Sequence, residues 1–153
     1  VAESLNFVAE PGQPTIVMKR NFDAPRHAVF AAWTQAEHVR HWWDPTGRPL
    51  AICEIDLRPA GRFRWVNQGA KGEDYPFVGS YVEVAPPERL VLKVTSPEAL
   101  ATLIFRESGS GTALTMTIAC ASIAARDELL QMRVDTDTAC TLDNLAKYLE
   151  ETH

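Results

Sequence analysis

Apolar and polar positions alternate from the first patterned stretch of the chain. Between Thr15 and Asp23, Ile16, Met18 and Phe22 share one face while Val17, Lys19 and Asn21 share the other, which predicts a strand. Asp23-Ala24-Pro25 stops it, and Pro25 suits the first turn of a helix carrying Ala28, Val29, Ala32 and Trp33 at helical spacing. A second short helix is predicted from Ala36 to Trp43, ended by Asp44-Pro45-Thr46-Gly47.

From residue 50 the pattern changes to short strands separated by turn residues. Leu50–Leu57 and Arg62–Gln68 flank Arg58-Pro59-Ala60-Gly61, and the stretch from Asn67 to Gly72 leads into Phe77–Val84. Pro86-Pro87-Glu88 separates that strand from Leu90–Thr95, and Leu100–Glu107 and Thr112–Ala121 flank a Ser-Gly-Ser-Gly turn. In the last strand Leu114, Met116 and Ile118 oppose Thr115 and Thr117, the mark of a half-buried antiparallel strand. After Ser122 the period becomes helical. Leu130, Val134, Thr138, Leu142, Leu145 and Leu149 form one stripe, and a break near Asp135–Asp137 would divide the segment into two helices.

Six consecutive hairpin-linked strands exclude a doubly wound parallel sheet, because parallel pairs need crossover connections. The prediction is an α+β domain: a curved seven-stranded antiparallel sheet wrapped around a long C-terminal helix, with two short helices after the first strand. Residues 15–153 form the domain and residues 1–14 an N-terminal extension. A strongly twisted sheet curling around one helix leaves space between them, and an apolar cavity is expected there.

The bulk properties narrow the function classes. A chain of 153 residues has room for one domain with a sizeable core. Its formal charge of −5 supplies no basic face for phosphate backbones, so no nucleic-acid partner is expected. No apolar run approaches the ~18 residues of a membrane span. Val1–Gln13 shows neither the basic start nor the apolar stretch of a signal peptide. Cys53, Cys120 and Cys140 are sparse and odd in number, which reads as buried thiols in a reducing cytoplasm rather than a disulfide framework.

Several segments together resemble a known family. They are Ala24-Pro25, Val29-Phe30-Ala31-Ala32-Trp33-Thr34 and His38-Val39-Arg40-His41-Trp42-Trp43, then Glu54 through Phe63 and Gly79 through Val84. Pro86-Pro87-Glu88-Arg89-Leu90 and Leu142 through Leu149 complete the set, in order over most of the chain from residue 15. On these residues the chain resembles the activator-of-Hsp90-ATPase-homologue-like branch of the helix-grip superfamily, which includes START lipid-binding domains and the birch-pollen allergen. The resemblance implies a helix-grip fold, a hydrophobic cavity and no shared catalytic residue; no cofactor is expected. The sequence departs from the family pattern in two places. Asp137-Thr138 stands where the family commonly has Gly-Trp, which alters the cavity wall, and Ala60-Gly61 stands where two glycines are common.

The candidate cavity residues follow from the fold. On the short helices they are Trp33, Trp42 and Trp43. On the strands they are Phe63, Trp65, Phe77, Tyr81, Leu92, Phe105 and Met116, and on the terminal helix Leu142 and Leu145. Arg20 shares a face with Ile16, Met18 and Phe22, so it points inward and needs a carboxylate partner. Arg20, Tyr81 or a carboxylate would orient a ligand.

Glu54 and Asp56 have two open registers: an exposed ladder with Arg62 and Arg64, the expected one, or a place beside Phe63 and Trp65 where acid–base work becomes conceivable. His38, His41 and Asp44 are close in sequence but come from one element, so no metal site is expected. His27 reads as a surface residue. No Gly-x-Ser-x-Gly elbow occurs, and Ser108 and Ser110 lie in a turn.

Three functional readings stay open at this point. The first is a small-molecule binding protein for an apolar or aromatic ligand, in which bulk introduced at a wall position such as Met116 weakens binding. The second is a stress-linked interaction protein with an Hsp90-type chaperone as partner. The third is a cavity-based enzyme of cyclase or hydrolytic type. A homodimer is compatible with each.

Overall fold

In the computed structural model, residues 6–95 and 98–152 are described. They form strands β1 (Asn6–Val8) and β2 (Thr15–Phe22), helices α1 (Arg26–Thr34) and α2 (Ala36–Trp42), and strands β3 (Ile52–Ile55) and β4 (Arg62–Gln68). Strands β5 (Asp74–Ala85), β6 (Arg89–Thr95), β7 (Glu98–Ser108) and β8 (Gly111–Cys120) follow, then α3 (Ile123–Gln131) and α4 (Val134–Thr152). All strands join one antiparallel sheet in the order β1-β2-β8-β7-β6-β5-β4-β3. The α+β architecture matches the sequence expectation.

The sheet has eight strands rather than seven. The added one is β1, which lies inside the stretch assigned to the extension and pairs Phe7 with Met18 on β2. Three residues are too few to show a period. The terminal helical segment is indeed divided, but at Met132–Arg133 and not at Asp135–Asp137. Arg133 there adopts a left-handed φ of 63°. β5 also begins earlier than expected, at Asp74, because Tyr75 and Pro76 continue the ladder opposite Asn67 and Val66.

Register places the apolar members of each strand on one face. Met18 pairs with Met116 and Met116 with Leu103. Leu103 pairs with Leu90, Tyr81 with Leu92, and Trp65 with Phe77. Across this inner face lie α1, α2 and α4. Gly79 allows one close approach: a Cβ there would meet the Lys93 carbonyl oxygen at 2.1 Å and the Phe63 ring at 2.8 Å. A bulge follows, where Tyr81 pairs with Leu92 and Glu83 with Val91, and exposed Val82 is left over.

Helix α4 is fixed mainly through its second half. Leu142, Leu145 and Leu149 are buried one helical turn apart. Thr141 Oγ1 donates to the Trp43 carbonyl at 3.1 Å, and Asn144 Nδ2 donates to the Asp44 carbonyl at 2.9 Å. Arg20, 4% exposed, reaches from β2 to ion-pair with Asp143. This is the carboxylate that an inward arginine required. Asp143 is half-exposed, so its removal strands a buried guanidinium without opening the core.

The substitution Asp143→Ala is therefore expected to cost about 1–3 kcal/mol. Asp56→Ala, whose pair with Arg58 is exposed, should cost under about 0.5 kcal/mol. Urea unfolding of the two variants checks the difference, and equal costs would remove Arg20–Asp143 as a tether.

Candidate functional site

The stripe on α4 is buried in its second half and only half-buried at Val134 and Thr138. Opposite that first half, β7 carries Ala99 and Ala101 between larger neighbours: Ala101 pairs with Leu92 on one side and Ile118 on the other. Two small side chains beneath a helix anchored further along leave a hollow. A cavity of about 400 Å³ lies there, walled by the inner face of the sheet, α4, α3 and the α1–α2 region. Its volume falls within the range of small-molecule sites.

Of the thirteen candidate residues, the structure places six on the wall of this hollow: Trp33, Trp43, Phe77, Leu92, Met116 and Leu142. The remaining seven belong to the packed core or its edge. Trp42 turns into the helix pair, donating its indole N–H to the Ala32 carbonyl at 3.0 Å. Phe63, Trp65 and Tyr81 form an aromatic cluster, with ring centres 5.3 Å apart for Phe63–Trp65 and 5.4 Å for Phe63–Tyr81. Phe105 packs edge-on against Phe30 at 5.3 Å, and Leu145 is fully enclosed. Arg20 is committed to Asp143. Arg20 and Tyr81 thus lie off the wall of this hollow, the one in an ion pair and the other in the aromatic cluster.

The wall also contains residues outside the expected set, among them Asn67, Tyr75 and Met132, together with Asp137 and Thr138. Asn67 continues the inward period of Phe63 and Trp65, and its cross-strand partner is Tyr75. That periodicity was the available signal. Tyr75 is 54% exposed and Met132 is 64% exposed, so both mark the rim. Asp137 and Thr138, the positions that depart from the family pattern, lie in the first turns of α4 and face this space.

Tryptophans brace one side. Trp43 meets Trp65 at 4.7 Å and Phe77 at 4.9 Å, while Trp33 meets Trp42 at 4.8 Å, edge-to-face in the two tryptophan pairs. Trp33 is 2% exposed, and its indole N–H has no hydrogen-bond acceptor among the described residues. Buried donors are nearly always paired. The same lack holds for the Trp65 N–H and the Tyr81 hydroxyl, which lie off the cavity wall.

The other candidates for chemistry disperse. Glu54 faces Arg64 across the ladder on the exposed side, so the exposed register holds, yet the described ion pair runs from Asp56 to Arg58. His38 meets the Tyr148 hydroxyl through Nδ1, His41 stacks on the Tyr148 ring at 5.8 Å, and Asp44 accepts from the Thr46 N–H and hydroxyl. Those three do not converge, and among the described residues no group of three metal-ligating side chains does. Two further depressions border Tyr148, one between α1, α2 and the end of α4, the other beside His41, Asn144 and Lys147.

The cysteines are less buried than expected: Cys53 and Cys120 are half-buried and Cys140 is exposed. Burial pushes the Cys53 thiol up to about 11, with a partial downward pull from the Arg40 guanidinium. Tyr81 is raised as well, chiefly by burial and then by Cys53 and Asp56. Neither is an activated nucleophile at neutral pH.

An open antiparallel sheet closed by a terminal helix, with an apolar hollow between them, defines a helix-grip domain. Residues 23–150 match the family described as activator of Hsp90 ATPase homolog 1-like protein, and the chain belongs to that family. Protein Ms6760 from Mycobacterium smegmatis has a similar structure, with a TM-score of 0.88 at 21% identity over 99% of this chain and 100% of that one. A protein from Rhodobacter sphaeroides gives 0.88 at 24% identity over 97% and 99%. NE0264 from Nitrosomonas europaea gives 0.86 at 23% identity over 94% and 98%. At these identities the likeness extends to the fold. A search of curated proteins gives no match. Among the described residues no helix is long and apolar enough to cross a membrane.

A thiol whose folded pKa is raised keeps its proton in the folded state. Its contribution to stability is complete below the ordinary thiol value of 9.0 and is lost as pH rises toward about 11. Unfolding measured across that window should show stability falling, less steeply in Cys53→Ala. At pH 8 an alkylating reagent should modify Cys140 well before Cys53; equal rates would contradict the assigned environment.

Proposed function

We propose that the protein binds an apolar or aromatic small molecule in the cavity between α4 and the sheet. The observation that carries this reading is a hollow of ligand size whose wall is mainly aliphatic and aromatic and is braced by Trp33 and Trp43. The wall holds one carboxylate, Asp137, and among the described residues no histidine, cysteine, lysine or arginine. General acid–base chemistry calls for groups of matched and perturbed pKa within reach of the substrate, so binding is favoured over catalysis.

The family description names an activator of the Hsp90 ATPase, and a chaperone-binding role calls for a continuous exposed apolar patch. Apart from Tyr75 and Met132, the exposed large apolar residues are spread along the described chain: Val8 on β1, Leu57 after β3, Val82 on β5, Leu100 on β7 and Ile123 on α3. Tyr75 and Met132 share a location, and it is the cavity rim. A cytoplasmic location suits free cysteines without a disulfide framework.

Thr138→Trp places an indole in the hollow from a half-exposed helical position. It is expected to weaken binding of the neutral dye Nile red by about tenfold or more, with stability within about 1 kcal/mol of the parent. Fluorescence titration and thermal unfolding check both. Unchanged dye affinity in a folded variant would contradict the proposal.

A further inference from the structure

Resting on that binding reading, the cavity's polar groups define which end of a ligand goes where. Asp137 is the one charged residue in the wall, and its carboxylate makes no hydrogen bond or ion pair among the described residues. It stands in the first turn of α4, at the mouth of the cavity. Arg133, the cation nearest in sequence, neither lines the cavity nor pairs with it. The rim also carries the exposed Tyr75 ring, a surface that attracts cations. The formal charge of −5 points the same way.

Trp33 also lines the cavity, but its indole nitrogen is enclosed by the protein and presents no surface to the hollow, so it takes no part in choosing a ligand.

We propose that the cavity is selective for an apolar amine: a protonated nitrogen held at the mouth by Asp137 and Tyr75, and an apolar body along β6–β8. A carboxylate of the same body is disfavoured, because it meets Asp137 and finds no cation in the wall.

The test uses Nile red displacement from the intact chain by decylamine, decanol and decanoate at neutral pH and low salt. The amine should bind most tightly, exceeding the carboxylate by about tenfold, the scale expected when attraction at a solvent-exposed carboxylate replaces repulsion. In Asp137→Asn the two should come within about threefold. Equal binding of amine and carboxylate, or an unchanged ratio in Asp137→Asn, overturns the charge assignment while leaving cavity binding intact. Failure of Nile red and all three probes to bind overturns the cavity reading itself, and this proposal with it.

Discussion

Helix α4 is tied to the rest of the domain through its middle and second half, and the hollow exists because those ties do not extend to its start. Arg20–Asp143 joins it to β2, and the Trp43 and Asp44 carbonyls receive Thr141 and Asn144 from the end of α2. Leu142, Leu145 and Leu149 then pack fully. These contacts fix the height of the helix over the sheet. Ahead of Thr141 the same helix carries Val134 and Thr138, too small to span that height and reach Ala99 and Ala101. The ion pair is an uncommon way to hold a core helix, since a buried guanidinium must be desolvated, and its partner being half-exposed lessens that cost.

Rigid surroundings keep the space from closing. The sheet beneath is continuously hydrogen-bonded, and the tryptophans on α1 and α2 interlock edge-to-face with Trp65. Interiors with the density of organic crystals relax only partly around missing volume. The Met132–Arg133 joint between α3 and α4 adds a corner to the mouth, and Met132 itself is a flexible, apolar rim residue. One rigid wall faced by a more adaptable rim suits a site that admits and releases a small molecule.

Much of this was legible in the residues. The period-two strands from Thr15 onward and the leucine stripe of α4 specified the architecture, and an inward Arg20 required a partner. The register of β3 against β4 was open in the sequence, because the Pro59-Ala60 turn permitted two faces to coincide. β1 was hidden by its length, and Tyr75 by a proline that read as loop. The site was harder. Phe63, Trp65, Tyr81 and Phe105 fit an aromatic pocket as well as an aromatic core, and periodicity does not separate the two. What marks the hollow is smallness, at Ala99, Ala101 and Thr138, and pattern reading attends to bulk.

The central claim is that open apolar volume lies between the first half of α4 and the β7 alanines. Xenon binds apolar cavities through dispersion alone, without need of a cognate ligand. Crystals of the protein pressurised with xenon should show the atom bordered by Ala101, Leu103, Thr138 and Leu142. A xenon-free interior, with the first turns of α4 packed directly onto Ala99 and Ala101, would contradict the account.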